Sequence, residues 1–250
     1  MKPMKVNYTD IAANYDKHRS YSEKETIKLI EFGEIREGLR ILDLGCGTGN
    51  VSSQIRNNIN VDIIAADKSL PMLEVARGKS LEVLCIEAGA DCLPFRDNTF
   101  DIAIAAYVIH QIDNLEAMFY ECYRILKNGR LLIMTSSHRQ IENQHPVLKR
   151  FFPSAIDIDK ARFPDIPEVD RMLHKAGFRD IKHDDIHVEA IPLNEEYLQK
   201  VKGKFISTYH LIPQEEFELG VSRLEDYINN NRQPEHREWQ GTLIRAEKDG

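Results

Sequence analysis

Cysteine is scarce in this chain, and the four present, Cys46, Cys85, Cys92 and Cys122, form no CxxC pair and no pairing with histidine at zinc-ligand spacing. Neither a disulfide framework nor a bound metal is expected, and buried small side chains are the plain reading of all four. Long apolar runs are missing too: the strongest, Ile102 to Ile109, falls far short of the ~20 residues that span a bilayer, so no membrane span is expected. The opening MKPMKVNYTD has no apolar core of a secretory leader, which makes a cytoplasmic location the expectation. Basic charge is not in excess: 33 Lys and Arg face 40 Asp and Glu, a formal charge of -7, which argues against a broad nucleic-acid surface. Internal repeats, low-complexity tracts and Gly/Ser-rich linkers are absent as well, so the 250 residues are expected to form one domain.

What is present is concentrated in Leu39 to Asn50, LRILDLGCGTGN. An apolar strand runs into Asp43, Gly45, Gly47 and Gly49, and a helix follows. Glycines there let backbone approach a ligand closely, because they lack Cβ and tolerate positive φ. Phosphate cradles and dinucleotide sites use similar glycines, but the third glycine of a dinucleotide fingerprint is replaced here by Asn50. Asp43 lies two residues before the first glycine, where it would face a pyrophosphate. A carboxylate in that place suits a ligand with an ammonium-bearing tail, since burying it unpaired is costly. The expected ligand is a nucleoside with a charged tail, such as S-adenosylmethionine.

The hydrophobic pattern alternates between the two regular periods. Helix at Thr26–Phe32 is followed by strands at Arg40–Leu44, Val61–Ala66, Leu81–Ile86, Phe100–Ala106 and Arg130–Thr135, with helices from about Asn50, at Leu70–Gly78 and at Asn114–Leu126. This predicts a doubly wound α/β sheet. From Ser136 to Pro167, prolines at 146, 153, 164 and 167 predict an irregular cover. A helix at Ile166–Ala176 with Gly177 as its C-cap, a long strand at Ile181–Ile191, a helical stretch at Asn194–Asn231 and a last strand near Trp239–Ala246 complete the chain.

With those elements placed, the chain resembles the class I S-adenosylmethionine-dependent methyltransferases, in particular the small-molecule branch that includes the ubiquinone and menaquinone biosynthesis enzymes. Five segments carry the resemblance, in the family's order: YTDIAANYDKHR from Tyr8, ILDLGCGTGN from Ile41, IIAADKSLPMLEVA from Ile63, LPFRDNTFDIAIAAYVIHQI from Leu93 and ECYRILKNGRLLI from Glu121. The resemblance implies a Rossmann-like, seven-stranded, mostly parallel doubly wound sheet with an antiparallel edge hairpin and a helical cap. It implies lid helices over 1–35, a cofactor core over 36–135, a substrate cover over 136–165 and 194–232, and the remaining sheet and helix over 166–193 and 233–250.

The resemblance also distributes the site. Asp43, Gly45, Cys46, Gly47 and Gly49 form the cradle. Asp67, closing the second strand, would accept from both ribose hydroxyls, although it could also cap the helix that follows. Lys68 and Met72 share that corner, Met72 lying against the nucleoside or simply packing its helix. Where relatives carry an Asp-Ala pair for adenine, this chain has Gly89-Ala90, which leaves the adenine contact to Asp91 or to backbone alone. Ala106 ends the fourth strand beside the ligand. Tyr15 and Arg19 fall one helical turn apart on a segment that closes over the methionine end or merely packs on the sheet. His110 and His138, after the fourth and fifth strands, are the candidate general bases, with Tyr107, Tyr209 and His210 as weaker candidates for orienting a substrate. The acceptor is expected to be a small molecule, because the Asp/Asn-Pro-Pro-aromatic element that holds a flipped base is missing and Cys85 and Cys92 lack a Pro-Cys context. The basic group Arg139, Lys149, Arg150, Lys200, Lys202 and Lys204 either meets an anionic metabolite or forms a solvated face. Two rival readings stay open: a module that binds S-adenosylmethionine or S-adenosylhomocysteine without transferring methyl groups, and a nicotinamide oxidoreductase, which Asp43 and Asn50 disfavour.

Overall fold

The computed structural model describes residues 6–18, 22–79, 83–143, 146–231 and 235–249. Helices α1 (Tyr8–His18) and α2 (Glu23–Phe32) lead into β1 (Arg40–Leu44), α3 (Asn50–Asn58), β2 (Asp62–Asp67), α4 (Leu70–Gly78), β3 (Leu84–Glu87) and β4 (Phe100–Ala106). A 3-10 turn (Ile109–Gln111), α5 (Leu115–Ile125) and β5 (Leu126–Thr135) follow. The chain then runs through α6 (His138–Asn143), α7 (Pro146–Phe151), α8 (Ser154–Arg162), α9 (Ile166–Ala176), β6 (Arg179–Pro192), α10 (Glu195–Lys202), α11 (Gln214–Asn230) and β7 (His236–Glu247).

The seven strands are ordered β3-β2-β1-β4-β5-β7-β6. β1 to β5 pair in parallel, and β7 inserts antiparallel between β5 and β6. This is the mostly parallel, Rossmann-like sheet expected from the sequence. Strand residues are apolar on both faces because both faces are covered. Leu42, Ile64, Ala103, Leu131 and Ile133 join the core beneath α5 and α9. Their neighbours Ile41, Ile63, Ile104, Leu132 and Met134 join the opposite core with Leu29 of α2 and Ile55 of α3. Since side chains alternate along a strand, adjacent apolar residues divide between these two cores.

The end of α9 is where the sequence suggests, and the start of β5 is not. Asn114 caps α5 by accepting from the Ala117 N–H at 3.0 Å. α9 spans Ile166–Ala176, and Gly177 ends it at φ +112. β5 starts at Leu126 rather than Arg130 because its pairing with β4 shifts register between Phe100 and Ile102; a Cβ on Gly129 would lie 2.2 Å from the Asp101 carbonyl oxygen, so the backbones touch there.

The expected irregular cover is instead helical, and this corrects the sequence reading. Pro146 opens α7, Pro153 immediately precedes α8 and Pro167 lies in the first turn of α9, so the prolines start helices rather than prevent them. α6 and α7 are each 6 residues long, too short to show an apolar period. α7 and α8, with α10 and α11, enclose a separate apolar cluster that includes Phe152, Tyr197, Tyr209, Phe217 and Leu224. No helix among the described residues is long and apolar enough to cross a membrane.

Candidate active site

The sheet changes direction of winding between β1 and β4, and a cleft opens there at the carboxyl ends of the strands, as expected at such a switch point. It spans about 640 Å³ of space, open solvent at its mouth included. Gly45 (φ +67), Gly47 (φ +53) and Gly49 (φ +74) carry the chain out of β1 in the left-handed region. The Gly45 and Cys46 N–H groups donate to the Ala66 carbonyl at 2.7 and 3.1 Å, tying the loop to β2. A Cβ on Gly45 would lie 2.2 Å from a methyl of Val108, whereas one on Gly47 would meet nothing within 4 Å. Gly45 therefore serves internal packing, and Gly47 leaves open space for something else.

Asp67 sits beside that space. Its Oδ2 accepts from the Gly47 N–H at 2.8 Å and its Oδ1 from the Ser69 N–H at 2.8 Å. The carboxylate is thus aimed before any ligand arrives, and each oxygen has a second lone pair available. Burial raises its pKa above the ordinary value, and the two N–H donors oppose that rise. Gly45, Gly47, Asp67, Lys68, Met72, Ala90 and Ala106 all line the cleft, joined by Leu44, Ala88, Val108, Gln111 and Ile112. Cys46, Gly49, Gly89 and Asp91 do not; Asp91 is exposed. Arg19 lies outside the described residues.

Asp43 is buried at 1% exposure and is not on the cleft wall; its Oδ2 accepts from the Ser52 hydroxyl at 2.5 Å. Burial pushes its carboxyl up to about 6; the Ser52 bond opposes this and the Asp67 charge adds to it. The same burial, with both carboxylates, holds the Cys46 thiol far above the usual range. A folded-state pKa raised from 3.8 to about 6 means that the native protein binds the proton more tightly than the unfolded chain. The associated stability is fully present below pH 3.8 and is lost as pH rises through about 6, a change of roughly 3 kcal/mol. D43N keeps an acceptor for Ser52 without this titration. Its melting temperature relative to the unmutated, cofactor-free protein should therefore climb between pH 4 and 7; a difference that stays flat across that range would contradict this account.

α1 lines one side of the cleft through Tyr8 and Tyr15, whose rings meet edge to face at 6.1 Å. It is tied down by Asp16, which accepts from the Thr48 hydroxyl at 2.6 Å and the Asn50 amide at 2.9 Å and pairs with Lys79 at 2.8 Å. Burial would raise the Asp16 pKa, but these partners outweigh it and the net shift is downward. Sequence reasoning missed this clamp, since residues 32 to 63 positions apart announce no contact. The opposite wall holds Tyr107, in the left-handed region at φ +51, a conformation that costs an L-residue about 1–2 kcal/mol.

The two histidines lie off the cleft wall. The His110 ring, 7% exposed, stacks on Phe163 at 4.0 Å between centroids. His138 donates through Nε2 to the Phe163 carbonyl at 2.8 Å, and its backbone N–H donates to Asp165. Both therefore meet the same cap residue. The basic group on the cover is largely engaged: Lys200 pairs with Glu196, Lys202 with Glu225, Arg150 lies over Tyr227 and Lys204 over Phe217. Among the described residues no cluster of three or more His, Cys, Asp or Glu could hold a metal ion.

Comparison with known proteins agrees with this geometry. Residues 42–134, the segment from β1 to β5, match the family model described as a methyltransferase domain. The chain is 26% identical over 194 residues to the ubiquinone/menaquinone biosynthesis C-methyltransferase of Haemophilus ducreyi, covering 67% of this chain and 75% of the relative. It is 28% identical over 202 residues to the malonyl-[acyl-carrier protein] O-methyltransferase of Geobacter sulfurreducens, covering 76% of each. In fold it is similar to phosphoethanolamine N-methyltransferase 2 of Haemonchus contortus, solved with phosphomonomethylethanolamine and S-adenosylhomocysteine. That match has a TM-score of 0.60 at 21% identity and covers 90% of this chain and 52% of that one. Residues 42–134 thus carry a methyltransferase domain on the fold of the class I S-adenosylmethionine-dependent methyltransferases, and S-adenosylmethionine is the cofactor these matches support. The open space over Gly47 beside a pre-aimed carboxylate fits that cofactor's nucleoside.

Proposed function

We propose that the cleft transfers the cofactor's methyl group to a small-molecule acceptor by in-line displacement. When bound, S-adenosylmethionine supplies an electrophilic methyl on a sulfonium whose displacement leaves a neutral thioether. Asp67 accepts from the ribose hydroxyls. Met72, Ala88 and Ala90 give the base an apolar slot, with backbone reading its edge where Gly89 offers no side chain. Gly47 permits backbone contact, and Asp43, beneath the loop, supplies negative charge toward the ammonium tail. Tyr8 and Tyr15 on α1 exclude water. Alignment and desolvation are the main contributions such a reaction needs. His110 and His138, which both contact Phe163, brace the cap in this reading rather than serve as bases.

The observation that carries the proposal is the Asp67 carboxylate, fixed by Gly47 and Ser69 at the edge of open space. The relatives' names cover a carbon, an oxygen and a nitrogen acceptor, so they support the reaction class and not one nucleophile. Isothermal titration with S-adenosylmethionine and S-adenosylhomocysteine should give micromolar affinity for both. Absence of binding to either would refute the reading.

A further inference from the structure

Among its described residues α1 buries a single apolar side chain, Ala12, and none of them belongs to the three apolar clusters of the fold. Segments with few buried apolar contacts open locally at small cost. A polar network ties this one down. Asp16 Oδ1 accepts from the Thr48 hydroxyl and the Asn50 amide, and Oδ2 pairs with Lys79. The Lys79 ammonium also donates to Asn50 Oδ1 at 2.6 Å, and the Asn50 amide to the Thr48 hydroxyl at 3.2 Å, which closes the four side chains into one cluster.

Each partner belongs to a different part of the cofactor's frame. Thr48, 1% exposed, lies in the glycine loop directly after Gly47; Asn50 opens α3; Lys79 directly follows α4. The Lys79 and Asp16 side chains are 26% and 32% exposed, so water and salt screen their pairing less than they screen a surface ion pair. Tyr15, the chain neighbour of Asp16, and Tyr8, about two helical turns earlier, line the cleft. Releasing Asp16 therefore frees the tyrosine wall from the loop beside the ligand's space. None of the four clustered residues lines the cleft itself. Their bonds join protein to protein and need not change when the cleft fills; an interaction of equal strength in both states leaves affinity alone and sets only the barrier between them.

We propose that Asp16 is the latch of a gate formed by α1, and that S-adenosylmethionine enters and S-adenosylhomocysteine leaves when this latch releases. Asp16 is a positioning residue, acting through Tyr8 and Tyr15. The inference rests on the cofactor reading above and adds to it the element that controls the rate of exchange.

Surface plasmon resonance on the full chain gives the association and dissociation rates of S-adenosylhomocysteine. D16A should raise both by about tenfold, as loss of a hydrogen-bonded charge implies, and leave their ratio, the affinity, within about threefold of the unmutated protein. K79M, which keeps Thr48 and Asn50 on Asp16, should raise both rates by a smaller factor, and D16A/K79M should exceed D16A by less than about twofold, because the two changes break one network. Amide hydrogen exchange on the cofactor-free chain should quicken over α1 in D16A while β1, β4 and β5 exchange as before; a merely structural role would quicken exchange across the sheet instead. Rates unchanged in both variants, an affinity that falls as far as the dissociation rate rises, or unchanged exchange over α1 in D16A would each overturn the gate while leaving cofactor binding in place. Failure of the unmutated chain to bind S-adenosylhomocysteine would overturn the cofactor reading, and the gate with it.

Discussion

Replacing Asp67 with alanine should weaken S-adenosylmethionine binding by about 2–3 kcal/mol, some 30- to 150-fold, as expected when charge-assisted hydrogen bonds are removed. The carboxylate has two tasks. It accepts from the Gly47 N–H and so sets the glycine loop, and it is the acidic side chain on the cleft wall where ribose hydroxyls would donate. D67N separates them. An asparagine keeps an acceptor for one loop N–H but loses the charge, so it should lie between alanine and the unmutated protein. Burial already raises the Asp67 pKa, so hydroxyl donors, by stabilising the ionised form, should make binding release protons near the free protein's pKa. Calorimetry in buffers of different ionisation enthalpy reads both affinity and proton release. Unchanged affinity in D67A would remove Asp67 from the ribose.

How much of this could be read from the chain depends on whether the cause was local. β1, its glycines and Asp67 were legible because strand period, positive-φ glycine and strand-end acid lie within one short stretch of sequence each. α9 was legible down to Gly177, since an amphipathic period and a left-handed cap are both written in adjacent residues. α6 to α8 were not: short helices set among prolines show no period, and α7 and α8 are buried by contacts with α10 and α11 that lie far off in sequence. The histidines illustrate a second limit. His110 and His138 occupy the chain positions where a base would be useful, and their shared contact with Phe163, far off in sequence, could not be read from those positions. Tyr107 with Glu25 and Asp16 with Lys79 depend on side chains that meet across the fold, and one sequence carries no signal for such pairs.

Substitution within the glycine loop should separate stability from binding more sharply than any other change. Gly45 and Gly47 share the left-handed conformation, at φ +67 and +53, so a side chain at either incurs a similar backbone cost of about 1–2 kcal/mol. Their surroundings differ. At Gly45 a Cβ would lie 2.2 Å from Val108, forcing that side chain and the 3-10 turn beyond it to move; overpacking of this kind adds about 1–3 kcal/mol. At Gly47 a Cβ meets no protein atom within 4 Å, so a valine there fills only the space left for the ligand. G45A should therefore melt well below G47A while retaining measurable cofactor binding in the fraction that folds. G47V should remain folded, with loss confined to the backbone cost, and bind S-adenosylhomocysteine at least ~1,000-fold more weakly, a loss of about 4 kcal/mol. Thermal melts and calorimetry on the three variants test the assignment together. A folded G47V that binds normally would mean that the ligand does not pass over this loop, and the open space beside Asp67 would then need another occupant.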